Sequence, residues 1–382
     1  MDIDHNNIRR VVEEDRLSSL PDELIHKILS CFDMKFAVQT CLLSSRWECL
    51  WKSVPCLNFS SDCFRTLTKF SKFVTHVLSH RNHQIQVSSV KLDFDGVANQ
   101  VSVRKIANYA FSHNVQELTV ANTPLCRFSN FPPCLFSSQS LKHFALTVID
   151  SSDCITLDTP LDFPALTTMH LSSIILSRDL FSKCVNLKNL TIEDFDVDCM
   201  EVLDIITPRL SNLMLIDSGY VDVINLIAPQ LENLTVIGCY LTKPLNAPPG
   251  LKSFCCRGSS LVQLSKNGFH CLNKLTICLD WSWSTMSCNE KRAHKTINML
   301  QELHTARYLT LSADVIECFS SFPYLLASHP SPFSNLISLT IDYSMKRDAY
   351  RVNMSSQAIN FFLENSPNAK LLLELPKDRS RS

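Results

Sequence analysis

A six-residue pattern, apolar-x-x-apolar-x-apolar, returns eleven times in this chain. It starts as VSSVKL at residue 87 and continues as VQELTV (115), LKHFAL (141), LTTMHL (166) and LKNLTI (187). LSNLML (210), LENLTV (231), LKSFCC (251), LNKLTI (272), ARYLTL (306) and LISLTI (336) complete the series. Successive starts lie 28, 26, 25, 21, 23, 21, 20, 21, 34 and 30 residues apart. In each unit the alternating part reads as a short strand whose side chains point to opposite faces in turn. A single unit cannot bury its apolar side, so neighbours must stack and share one continuous core. The expected product is a curved array of parallel strands with the apolar residues inside.

The intervening residues then line the concave face. At mid-strand these are Thr119, Ala145, His170, Thr191, Met214, Thr235, Cys255, Thr276, Thr310 and Thr340. The many threonines suit a β-branched ladder as well as a binding surface. Turns with Pro164, Pro208, Pro229 and Pro248-Pro249 separate the strands, with short helical pieces expected between them, such as MEVLDIIT (200–207). The middle spacings fall in the range of leucine-rich repeats. Helices are also expected at about 62–78 and 102–113, the first joining the N-terminal unit to the array.

The N-terminal unit has helical periodicity instead. In LPDELIHKIL (20–29), Leu20, Leu24, Ile28 and then Phe32 recur every fourth residue, with Ile25 and Leu29 beside them. Pro21 suits a first helical position, Asp22 and Glu23 suit the positive end of a helix, and Ser19 is a candidate cap. A second helical pattern covers about 35–43, and a third holds SRWECLW, which Pro55 ends. Three short helices carry more large apolar residues than they can hide from one another, so the surplus packs on the rest of the chain or on a partner.

LPDELIHKILSCFDMKFAVQTCLLSSRWECLWKSVP (20–55) resembles a plant F-box. The matching features are Leu20-Pro21, Asp22-Glu23, Leu24, Ile28-Leu29, Ala37-Val38, Leu43-Ser44, Arg46-Trp47, Leu50-Trp51 and Val54-Pro55. The resemblance implies binding to a Skp-type adaptor through Leu20, Pro21, Leu24, Ile28, Leu29 and Trp47. Through that adaptor it implies links to a cullin and a RING subunit of a ubiquitin ligase. Two positions depart from the family pattern: Phe32-Asp33 stands where Leu-Pro is common, and Phe36 where a polar residue is usual. Losing the proline is expected to loosen the turn between the first two helices.

With the repeats, the whole chain is similar to plant F-box/leucine-rich-repeat proteins, and FFLENSPNAKLLLEL (361–375) resembles the end of a degenerate FBD region. The implied fold class is α/β: a three-helix F-box followed by a curved solenoid with a parallel sheet on its concave face. The implied domains are a flexible 1–15, an F-box at 16–56, a helical linker at 57–86, repeats at 87–345, an FBD-like cap at 346–376 and a tail at 377–382. The implied role is the substrate-recognition subunit of an SCF-type ligase, with an interaction scaffold bearing a non-ligase F-box as the alternative. A hormone-receptor reading needs a longer array and a basic pocket, and the sequence offers neither.

Substrate contact is expected from Trp281 and Trp283 in the long interval DWSWSTMSCNEKRAHK (280–295), and from His170, Met214 and Thr235. Both indoles serve equally well as covers over the repeat core. No catalytic pattern is present. Six glycines supply no phosphate-cradling loop, and His294 and His304 are too far apart for a zinc helix. No cofactor or metal is expected.

A net charge of −1 argues against a nucleic-acid partner. The 17 scattered cysteines include no Cys-x-x-Cys and read as reduced core fillers. The polar opening MDIDHNNIRRVVEEDR is no signal peptide, and no apolar run is long enough to span a membrane. Nucleus or cytoplasm is the expected location. The Asn-x-Ser/Thr triplets at Asn58, Asn189, Asn233 and Asn353 are then chance matches.

Overall fold

The computed structural model describes residues 17, 19–95, 100–123, 131–149, 155–198, 202–265, 268–280, 289–344 and 356–375. All eleven repeat strands form, in parallel and in chain order. The N-terminal unit contributes α1 (Asp22–Leu29) and α2 (Met34–Gln39). Then come β1 (Cys56–Ser60), α3 (Leu67–His80), β2 (Ser89–Asp95), α4 (Gln100–Ser112), β3 (Glu117–Thr123), β4 (His143–Val148) and the short β5 (Ile155–Leu157). The middle holds β6 (Thr168–Leu176), β7 (Asn189–Val197), β8 (Val202–Ile206), β9 (Asn212–Ser218), β10 (Tyr220–Val221), β11 (Val223–Ile227), β12 (Asn233–Ile237) and β13 (Tyr240–Leu241). The last third holds β14 (Ser253–Gly258), β15 (Lys274–Leu279), α5 (Glu290–Glu302), β16 (Tyr308–Ser312), α6 (Ala313–Ser321), α7 (Pro323–Ser328), β17 (Ser338–Asp342), α8 (Ser356–Leu363) and β18 (Lys370–Glu374).

The main sheet runs β1-β2-β3-β4-β6-β7-β9-β12-β14-β15-β16-β17-β18. It therefore gains a strand at each end beyond the eleven repeats. β1 lies in the stretch expected to be wholly linker, and β18 in the FBD-like stretch. Two inner rows run the length of the sheet. One starts at Leu57, continues through Val90 and Leu118 and ends with Leu309, Leu339 and Leu371. The other starts at Phe59 and ends with Leu311, Ile341 and Leu373.

Repeat length decides what returns the chain to the next strand. The long intervals at both ends contain helices α3 to α8. The middle intervals of 20–23 residues leave too little chain for a helix and two turns. There the return is itself a strand: β8 pairs with β11 in parallel, Leu203 beside Ile224 and Ile205 beside Leu226. The helical piece expected at 200–207 is thus corrected. Its Leu203 and Ile205 are buried and alternate with Val202, Asp204 and Ile206, as strand residues do.

The sheet bends toward its polar face. Arg257 Nη1 on β14 reaches Asp342 Oδ2 on β17 at 3.1 Å. Three flat strand spacings are about 14 Å, beyond the reach of an arginine, so this face is the inside of the curve. Five adjacent repeats share a positive-φ residue at or near the C-terminal end of the ladder: Ser173 and Asp194 within β6 and β7, Asp217 and Gly258 at the ends of β9 and β14, and Gly238 just after β12, with φ of 57°, 48°, 47°, 130° and 65°. Asp tolerates this region and glycine adopts it freely. At Gly238 a Cβ would collide with the Asp217 carboxylate, so glycine is required there.

The expected third F-box helix is not one. Residues 45–49 form turns and Leu50–Ser53 a single 3-10 turn. Nor is the N-terminal unit separate: Ile25, Leu29, Met34, Ala37, Trp47 and Trp51 join the same hydrophobic core as the repeats. Twelve described cysteines are free thiols, but Cys318 in α6 is disulfide-bonded, which corrects the wholly reduced reading. No helix among the described residues is long and apolar enough to cross a membrane.

Candidate functional site

Helix α1 divides its stripe between two surfaces. Residues four apart share a face, so Ile25 and Leu29 go one way and Leu24 and Ile28 the other. Ile25 and Leu29 are fully buried, whereas Leu24 and Ile28 are 45% and 38% exposed. Pro21 is exposed and Leu20 is half-buried against the core. Trp47 is buried. Leu29 and Trp47 therefore belong to the interior, and their assignment to the partner surface is corrected: the chain's own core already occupies them. Phe32, one helical step beyond Ile28, is exposed too, and so are Phe36, Leu42 and Leu43 in the segment that follows. Phe36, Leu42 and Leu43 were legible as apolar residues in KFAVQTCLL, but only the fold shows that they point outward.

Local chemistry fixes this face in place. Pro21 takes the position before the first helical turn rather than within it, and its carbonyl accepts from Leu24 and Ile25 N–H. Arg46 Nη2 donates to Leu20 O at 2.5 Å and to Asp22 Oδ1 at 2.7 Å. The turn after α1 is bolted to the array. Asp33 accepts from Lys35 N–H at 2.7 Å, capping α2, and from Ser60 N–H at 2.6 Å. Asn58 Nδ2 donates to Ser30 O at 2.8 Å and Phe32 O at 3.2 Å, satisfying carbonyls that α1 leaves unpaired. Lys35 Nζ lies 5.0 Å from the centre of the Phe64 ring. The expected loosening by the missing proline is therefore corrected: Asp33 holds the turn by hydrogen bonds instead of ring rigidity. Burial pushes the Asp33 carboxyl above its ordinary value, and the two N–H donors and Lys35 only partly offset this.

The second candidate surface is the concave face. All ten expected positions lie in one register row, from Thr119 and Ala145 through His170, Thr191, Met214, Thr235 and Cys255 to Thr340. Asn58 and Lys91 precede them and Leu372 follows. His170 and Thr235 are half-buried and Met214 is exposed, so the three named candidates share one open strip. His170 Nε2 stands 3.9 Å from Glu193 Oε2. Thr276 is the exception, being buried. Trp281 and Trp283 lie outside the described residues.

Beside that row runs an amide ladder: Asn233 Nδ2 donates to Asn212 Oδ1 at 2.6 Å, and Asn212 Nδ2 donates to Asn189 Oδ1 at 2.6 Å. Two of the four Asn-x-Ser/Thr triplets thus supply sheet-stabilising amides. Toward the C-terminal end, Asp342 is buried and accepts from Arg257, from Ser344 N–H at 2.8 Å and from Cys278 Sγ at 3.5 Å. Burial raises the Asp342 carboxyl, but these donors together outweigh it and leave it below its usual range.

Nucleophile chemistry finds no support among the described groups. Burial pushes the Cys184 and Cys256 thiols up to about 12, far from a reactive thiolate. Among the described residues no three His, Cys, Asp or Glu side chains are grouped to hold a metal.

Residues 17–59 match the F-box domain family, and residues 103–256 match the leucine-rich repeats of the family described as FBD-associated F-box protein At5g56370. The chain thus carries regions that match an F-box and leucine-rich repeats. Its similar Arabidopsis thaliana proteins are F-box/FBD/LRR-repeat proteins. The F-box/FBD/LRR-repeat protein At3g51530 is 33% identical over 219 residues, covering 54% of this chain and 45% of that protein. Putative F-box/FBD/LRR-repeat protein At4g13965 is 30% identical over 225 residues, or 56% and 50% of the two chains. Putative F-box/FBD/LRR-repeat protein At4g03220 is 27% identical over 357 residues, or 88% and 70%. The match therefore spans about half the length of the first two relatives.

Proposed function

We propose that this chain is the substrate-recognition subunit of an SCF-type ubiquitin ligase. The single observation that supports it is the exposed apolar face of Pro21, Leu24, Ile28, Phe32, Phe36, Leu42 and Leu43. Leu24 and Ile28 stand on α1 and Phe36 on α2, both held to the array, and solvent exposure of so many large side chains in one N-terminal unit signals a docking surface. A Skp-type adaptor covers this face and connects it to the cullin and RING subunits. The concave strip of His170, Met214 and Thr235, with Trp281 and Trp283, contacts the protein substrate. The chain contributes proximity between substrate and a charged ubiquitin-conjugating enzyme, not bond-making. The complex works in the nucleus, the cytoplasm or both.

Capture on an immobilised Skp-type adaptor tests the reading. Wild type is expected to be retained, and Leu24→Asp with Ile28→Asp to lose at least ~30-fold in affinity with an unchanged melting temperature, consistent with hot-spot losses of about 2 kcal/mol or more. Absence of wild-type retention would sink the ligase reading and leave the interaction scaffold.

A further inference from the structure

Among the described residues, the last strand of the sheet has a free edge. β18, Lys370-Leu371-Leu372-Leu373-Glu374, pairs with β17 and with no other strand among the described residues. All five residues are exposed, including three consecutive leucines. Lys370 N–H donates to Ile337 O at 2.9 Å and Glu374 O accepts from Tyr343 N–H at 2.8 Å. The main-chain groups of Lys370, Leu372 and Glu374 thus face β17. By alternation along a strand, those of Leu371 and Leu373 face the open edge.

We propose that this edge pairs with the same edge of a second copy of the chain, antiparallel, about a two-fold axis through Leu372. The sequence of β18 fits itself in that arrangement. Leu371 of one copy stands opposite Leu373 of the other, and both carry outward main-chain groups. Two such pairs make four N–H···O bonds, the narrow hydrogen-bonded pairs of an antiparallel ladder. Lys370 of each copy then faces Glu374 of the other, on the same side of the sheet as Leu372. Neither charge has an ion-pair partner among the described residues. A parallel pairing of the two edges in register would instead set lysine beside lysine and glutamate beside glutamate, which is unfavourable.

The fold also selects a closed dimer over a filament. Head-to-tail association needs the edge of β1, and that edge is interrupted at Ser60. Ser61 N–H donates to Asp93 O on β2, so the neighbouring Ser60 N–H points the other way, into Asp33. The interruption at Ser60 disfavours a head-to-tail contact and favours the isologous C-terminal one. The contact joins the two solenoid cores, because Leu371 and Leu373 lie in the rows of Leu339 and Ile341, both fully buried. Its area is small for a stable interface, so the dissociation constant is expected on the order of 10–100 μM.

Sedimentation equilibrium of the full chain at about 100 μM tests this. Wild type should show a weight-average mass rising from 43.3 kDa toward twice that value. Lys370→Glu alone and Glu374→Lys alone should each stay at the monomer mass, since each sets like charges opposite one another. An equimolar mixture of the two variants should associate again, because every pair is then complementary. Association through the exposed F-box leucines would ignore these exchanges. A monomeric wild type, single variants that associate like wild type, or a mixture that stays monomeric while both variants keep the wild-type melting temperature would each overturn the proposal.

Discussion

The two ends of the array carry the same rows of residues and treat them differently. Leu57 and Phe59 open the inner rows and are buried, at 0% and 2% exposure; Leu371 and Leu373 close them at 44% and 55%. The side chains are alike and the strand geometry is alike. What differs is the cover. At the first strand, α1, α2 and the turns around Trp47 and Trp51 pack over the core, and Asp33 and Asn58 satisfy the polar groups of the junction. At the last strand no described element lies beyond β18. A repeat array can make its interior from one motif, but its ends need something outside the motif.

The largest expected effect breaks this contrast directly. Phe59→Ala should cost about 3–5 kcal/mol, as for a buried aromatic, whereas Leu373→Ala in the same row should stay within about 1 kcal/mol. Urea midpoints of the full chain measure both, and equal losses would mean that the C-terminal end is covered in solution. Next in size is the bolt. Asp33→Ala removes the α2 cap and leaves Ser60 N–H without its acceptor, for an expected loss of about 1–3 kcal/mol. Amide hydrogen exchange should quicken across α1 and α2 while β9 and β12 keep their protection. Uniform quickening would show that the F-box end stabilises the whole array.

The smallest effect is a pair of opposite pH slopes. Asp33 titrates above its unfolded value, so its favourable contribution is full below about pH 3.8 and is lost as pH rises through its folded value. Asp342 titrates below that value, so its contribution is present above about pH 3.8 and is lost as pH falls through its folded value. Wild type measured against Asp33→Asn should therefore lose relative stability as pH rises from about 3.8, while against Asp342→Asn it should gain as pH rises toward 3.8. Slopes of the same sign would contradict the balance of burial and hydrogen bonding described at one of the two carboxylates.

Much of this was legible because it is periodic. The eleven strand starts, their parallel order and the single row from Thr119 to Thr340 follow from an apolar alternation that any stacked strand must satisfy. The F-box was legible through its spaced tryptophans and leucines. What escaped notice has local reasons. β1 and β18 lie outside the repeat spacing, so no period announced them. The strand β8 reads equally well as a helix over so short a run, and only its partner β11 decides. Leu29 and Trp47 carry the F-box pattern, yet pattern alone does not say which side of a helix meets the core.

The sequence by itself determined the repeat architecture, the register of the concave row and the presence of an amphipathic docking unit, since period and polarity dictate which residues must be buried together. Only the tertiary structure decided which of those residues face outward. Burial depends on what neighbouring elements cover: Asp33 and Asn58 join distant segments to close one end of the solenoid, whereas among the described residues nothing covers Leu371 to Leu373.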